Sequence, residues 1–190
     1  MIFIGFTTSL KADSPLASTD LTKGYETSKW VIEAKANNGA ITNGIMEFLA
    51  NKGDIGEKVA TICQLGWGEN AGLNASQFML YLMENKKVET QTGDDYCCVA
   101  YLSALGNYFD VNDALKDAEK AVKMNPKSFT VQIIRALIQA QALMDSPSNW
   151  CQVYKVCDEV RNNKSLKQDL AAASVAGIFD YINIYKEECK

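Results

Sequence analysis

The sequence predicts an all-α fold, a solenoid of about four helix-turn-helix repeats followed by a C-terminal capping helix. Three observations carry this expectation. Apolar residues recur at spacings of three and four along nearly the whole chain. Polar and glycine-containing breaks divide that pattern into nine short segments, none of which alternates as a strand would. The first members of successive pairs start near Thr19, Asp54, Gly93, Ser128 and Lys164, at separations of 35, 39, 35 and 36 residues. A near-constant period of this kind belongs to stacked units, none of which can bury its apolar face alone. With 190 residues and 47% apolar content, the chain is long enough for one domain with a core.

Residues 1–12 read as the back half of a secretory signal, with an apolar run from Met1 to Phe6 and cleavage after Ala12. The basic start of such a signal is missing. Either the true start lies upstream, or Ile2 to Phe6 folds back on the body. Residues 13–18 are expected to be an extended loop and residues 19–190 a single helical-repeat domain. Export to the periplasm or the medium is the leading expectation for location, and the cytoplasm is the alternative. No other segment approaches the roughly 20 apolar residues that a bilayer requires, so no membrane span is expected in the mature chain.

The helices follow in order. After a cap at residues 18–20, Leu21, Tyr25, Ser28, Ile32 and Ala36 line a first helix that stops at Asn37-Asn38-Gly39. Ile41, Ile45, Phe48 and Leu49 form the face of a second, closed by Asn51-Lys52-Gly53. Asp54 caps a third through Ile55, Val59, Ile62 and Leu65, and Gly66-Trp67-Gly68 ends it. Residues 69–73 read as a loop. Asn74 then caps a fourth helix, with Phe78, Met79 and Leu82 inward. A hairpin spans residues 94–126, turning at residues 110–113. In its second helix Ala114, Ala118 and Ala121 share one face, and Gly106 allows close approach near the end of its first. Ser128 caps a helix through Ile133, Ile134, Leu137, Ala140 and Leu143. Another follows residues 145–148, with Trp150, Val153, Tyr154, Cys157 and Val160 inward. The last carries Leu166, Leu170, Ala173, Ile178, Phe179 and Ile182, with Tyr185-Lys186-Glu187-Glu188 facing water.

The hairpin resembles the tetratricopeptide repeat (TPR), whose helix pair carries Trp-x2-Leu-Gly-x2-Tyr and then Ala-x3-Phe-x2-Ala-x4-Pro. Leu102 stands at the Trp position, Leu105-Gly106 at Leu-Gly and Phe109 at the Tyr position. Ala114, Ala118, Ala121 and Pro126 take the last four. Ala118 replaces the aromatic of the second helix, and the link between helices is about four residues shorter than the family's. The resemblance implies a right-handed solenoid whose first helices line a concave binding face. It also implies that Asn107 is a groove-facing polar residue, with Ser103 beside it.

Composition removes several function classes. Net charge is −4 with both signs interleaved, so the basic stripe that a nucleic-acid binder needs is missing and no nucleic-acid partner is expected. The chain has no histidine, which excludes Ser-His and Cys-His nucleophile pairs and His-containing zinc sites. None of its six cysteines forms a Cys-x-x-Cys pair, so most read as small core residues, although export would permit disulfides. Asp94-Asp95 and Asp110 with Asp113 lie at helix starts, where capping accounts for them. No cofactor or metal is implied. Trp67, flanked by glycines, either lines a binding groove or plugs a gap between helices.

These readings point to a non-enzymatic scaffold that binds a protein or peptide partner, with Trp67, Ser103 and Asn107 as the candidate contacts. Two alternatives stand beside it: a small enzyme or ligand carrier with a pocket between helices, and a structural subunit of a complex.

Overall fold

The computed structural model describes residues 14–189. Among the described residues the chain is all helical, with α1 (Lys29–Ala36), α2 (Asn43–Ala50), α3 (Ile55–Leu65), α4 (Ala71–Asn85), α5 (Gly93–Gly106), α6 (Asn112–Met124), α7 (Phe129–Leu143), α8 (Trp150–Asn162) and α9 (Ala172–Ile182). A 3-10 turn, Asn183–Glu188, follows α9. The only extended pairing among these residues is an isolated parallel bridge between Ser128 and Lys167. The signal-like reading of residues 1–12 lies outside the described residues.

Short polar side chains cap α1, α2, α3, α5 and α7. Asp54 and Ser128 cap α3 and α7 as the sequence suggests, accepting from Glu57 N–H at 2.9 Å and Val131 N–H at 3.1 Å. At α5 the cap is Thr92, and Asp95 closes a reciprocal capping box with it. Helices α1 and α4 begin elsewhere than their patterns indicate. Residues 14–27 form turns and irregular backbone, Gly24 taking φ +88° in one of the turns, and α1 starts only after Ser28, which caps it. Leu16 and Leu21 are nevertheless buried, so the expected extended loop at residues 13–18 is, from residue 14, a turn tucked into the core. Of the expected loop at residues 69–73, only 69 and 70 are a turn, and α4 starts at Ala71. Asn74 caps nothing: it is buried, accepts from Ile41 N–H at 2.9 Å and donates to the Gly39 carbonyl at 2.7 Å.

The helices α3, α5 and α7 form the interior and touch one another, α3 reaching α7 as well as α5. Around them α4 packs on α5, α6 on α5 and α7, α8 on α7, and α1 on α3. Gly72 of α4 meets Gly106 of α5, and a Cβ on Gly106 would sit 3.0 Å from the Gly72 Cα. At the other end Lys86, beyond α4, meets Asp95 of α5 at 2.8 Å, so the two helices run antiparallel. The close-approach role of Gly106 thus holds, with the start of α4 as its partner. Ala114, Ala118 and Ala121 are buried, as their shared face requires.

Residues 14–27 and 163–171 close over this frame. Ser14 Oγ donates to Gln141 Oε1 of α7, and the Leu21 N–H meets Cys63 Sγ of α3 at 3.4 Å. Ser174 Oγ lies 2.9 Å from the Leu21 carbonyl and 2.6 Å from that of Lys23. Asp169 accepts from the Thr130 N–H at 2.8 Å, and its carbonyl accepts from Thr130 Oγ1 at 2.8 Å. The expected last helix therefore starts only at Ala172; before it, Leu166 and Leu170 are buried from an irregular strap. Tyr185, expected to face water, is buried edge-on to Trp150. Met79, expected inward, is exposed, because the face of α4 that meets α5 runs through Ala71, Ala75, Phe78 and Leu82. Cys97, Cys98 and Cys157 are buried as free thiols, while Cys151 and Cys189 form a disulfide. No described helix is long and apolar enough to cross a membrane.

Candidate functional site

The end of the molecule where α3 and α5 finish carries its exposed aromatic side chains. Gly66, the C-cap of α3, takes φ +74°, a conformation other residues resist, and its N–H returns to the Ile62 carbonyl at 3.1 Å. The chain leaves the helix sharply and Trp67 emerges 44% exposed. Its ring meets the edge of Tyr108 at 5.7 Å between centroids, and Tyr108 lies tilted against Phe109 at 4.2 Å. Phe109 is 83% exposed. Leu73, in the first turn of α4, is also exposed. The Gly72–Gly106 contact holds the start of α4 beside the end of α5, so all these residues rise from one well-packed junction.

Ser103 and Asn107 lie on the far side of the same turn. They line a shallow pocket of about 200 Å³ with Asp110, Asn112, Asp113 and Ala114. Asn107 is the C-cap of α5, and its N–H bonds to the Ser103 carbonyl at 3.0 Å. The Asp110 carboxylate accepts from Asn112 N–H and Nδ2 at 3.2 and 2.8 Å. Lys116, hydrogen-bonded to Asp113 at 2.7 Å, holds that carboxyl below its ordinary range. Of the four carboxylates read from the sequence as caps, Asp95 closes the capping box of α5 and Asp110 accepts from the first N–H of α6, whereas Asp94 bonds Asn125 and Asp113 bonds the Lys116 side chain. Trp67 touches the turn through Tyr108, while Ser103 and Asn107 form their own pocket behind it.

The TPR resemblance expects the first helices of the pairs to line a concave binding face. No residue of α3 or α5 is exposed, and residues 14–27 and 163–171 lie over the interior helices. Asn107 reaches solvent because it stands beyond the end of α5. Phe109, matched in the sequence to the Tyr position of the TPR pattern, is exposed. Sequence reading missed Phe109, Tyr108 and Leu73 as surface contacts; the signal was an aromatic pair set directly against the polar turn at residues 110–113. Among the described residues no cluster of three or more Cys, Asp or Glu side chains is arranged to hold a metal ion.

Comparison of the chain with protein-family models, curated proteins and solved structures found no match.

Proposed function

We propose that this protein is a non-enzymatic binding module that takes a protein partner on the aromatic end formed by Trp67, Tyr108 and Phe109. The observation that carries the reading is the 83% exposure of Phe109 within a ring cluster anchored on a tight helix junction. Aromatic groups held this way present a large apolar area with little conformational entropy left to lose, which is what anchors of protein interfaces share. Glu69 follows Trp67 in the same loop, and Asp110 and Asp113 flank the Asn107 pocket. A partner segment with an aromatic or aliphatic anchor beside Lys or Arg complements that surface.

Two finer readings belong to the same proposal. The consecutive packing of α5 on α6, α6 on α7 and α7 on α8 supports a TPR-like pair of repeats at the centre of the chain. Export to an oxidising compartment suits the Cys151–Cys189 disulfide.

Selection from a random peptide display library, followed by calorimetry on the enriched peptides, tests the surface. The expected winners carry an apolar anchor next to a basic residue. A double variant, Trp67→Ala with Phe109→Ala, should lose about tenfold or more in affinity while keeping its circular dichroism spectrum. Peptides that bind the double variant as well as the parent would move the interface elsewhere.

A further inference from the structure

We propose that a cleft at the N-terminal end of α5 binds a small monocarboxylate, whose charged oxygens are held by Lys58. The cleft lies between the turn after α2, the second turn of α3, the link after α4 and the α6–α7 junction. Its volume is about 480 Å³, inside the range of roughly 300–1,000 Å³ usual for small-molecule sites. It sits at the opposite end of α5 from the aromatic cluster and extends beyond the partner-binding reading.

Lys58 is the reason to look here. It stands on the cleft wall, yet the residue is only 1% exposed. A buried ammonium is costly unless its hydrogens are met, and it has three to satisfy. Nζ donates to the Asn51 carbonyl at 2.6 Å. Its next partner, Asp94 Oδ2, lies at 3.9 Å, beyond hydrogen-bonding distance. Two N–H donors of a buried cation are therefore left to the cleft, with no acceptor in reach among the described residues.

The neighbouring charges are already engaged, which separates Lys58 from them. Lys86 Nζ meets both Asp95 oxygens at 2.8 Å, and Asp95 also accepts from the Thr92 N–H and Oγ1 at 2.8 and 2.9 Å. Asp94 Oδ1 accepts from Asn125 Nδ2 at 3.2 Å. Lys52, Lys58 and Lys86 set against Asp94 and Asp95 leave one positive charge at the site, and the positive end of the α5 dipole adds to it. A single negative charge balances that sum. A doubly charged phosphate exceeds it and meets Asp94, while a cation meets three ammonium groups. Ala50 and Met124 supply apolar wall for a short hydrocarbon stem.

The probe is sodium hexanoate, titrated at constant ionic strength into the ¹⁵N-labelled full chain, with hexylammonium chloride and inorganic phosphate as controls. Hexanoate should cause saturable shifts of the Thr92, Gly93, Asp94 and Asn125 amides. In Lys58→Met the affinity should fall about tenfold, the size of a lost hydrogen bond to a charged group. That variant exchanges a buried ammonium for an apolar chain of similar length, so its thermal midpoint should stay level or rise. If it fails to fold, Asp94→Asn decides the matter: removing the competing carboxylate should tighten hexanoate binding. The proposal is overturned by absence of saturable shifts at those amides, or by equal affinity in folded Lys58→Met. Unchanged or weaker binding in Asp94→Asn also overturns it, as does phosphate or hexylammonium occupying the site in place of hexanoate.

Discussion

In α5 and α7 most of the fully buried side chains are apolar, Cys98, Ala100, Ile133, Ile134 and Leu137 among them, with Tyr101 and Thr130 as the polar exceptions. The segments that close over them, residues 14–27 and 163–171, bury the leucines Leu16, Leu21, Leu166 and Leu170 and add polar contacts: Ser14 to Gln141, Ser174 to Leu21 and Lys23, Asp169 to Thr130. The first region is stabilised in proportion to the area it removes from water and tolerates rearrangement of any one bond. The second depends in addition on a few directed contacts between residues more than a hundred positions apart, or, at Asp169, 39 apart. Each is worth about 1 kcal/mol net, and each leaves a buried polar group unmet when cut. The clasp should therefore open before the helices separate.

The largest effect expected is on the apolar side. Leu137→Ala should cost about 3 kcal/mol in urea denaturation, because it leaves a cavity in a fully buried stretch of α7. Gly56→Leu tests the clasp at its tightest point. A Cβ there would run into the Tyr25 hydroxyl and come within 2.7 Å of the Asp169 carbonyl, so about 2 kcal/mol should be lost. If Gly56→Leu proves more costly than Leu137→Ala, the ranking of the two regions is inverted.

A pH series separates them further. Burial pushes the Cys98 and Cys157 thiols up to about 12, and both belong to the helical frame. A group whose folded value is raised contributes fully below its unfolded value, about 8.5, and its contribution declines as pH rises from there through the folded value. By pH 10 each thiol should have removed about 2 kcal/mol, and Cys98→Ala should flatten the decline. A steep alkaline loss that survives in the double Cys98→Ala, Cys157→Ala variant would place its origin elsewhere. Smallest is Ser174→Ala, about 1 kcal/mol. Its telling readout is hydrogen exchange: faster exchange confined to residues 14–27 and α9 supports independent opening, whereas uniform acceleration would show that clasp and frame unfold together.

The same contrast explains what was legible in the sequence. Asp54, Ser128 and the Ala114, Ala118, Ala121 face are local signals, and the structure uses them locally. The start of α1 was not legible, since Leu21 follows helical spacing yet is buried from the irregular backbone before Gly24. Nor was the start of α4. Gly72 looks like a helix breaker until Gly106 is seen against it, a contact across 34 positions that no window of sequence contains. At the aromatic end, Trp67 stood out through its glycine neighbours and Asn107 through the repeat resemblance. Phe109 was matched to the repeat's Tyr position without a burial assignment, because the repeat pattern fixes a residue's place on a helix while its exposure depends on which segment packs there.

The Cys151–Cys189 disulfide changes how the protein would carry a mechanical load. It joins residues 38 apart in sequence, one at the start of α8 and one just after the 3-10 turn that follows α9. A pull on the chain beyond Cys189 is delivered straight to α8 and through it to α7, which packs along it. The intervening α9, with its grip on Leu21 and Lys23, stays outside the path of tension as a slack ring. Once the bond is reduced, the same pull would peel away the 3-10 turn and then α9, lifting the cover from the interior helices one contact at a time.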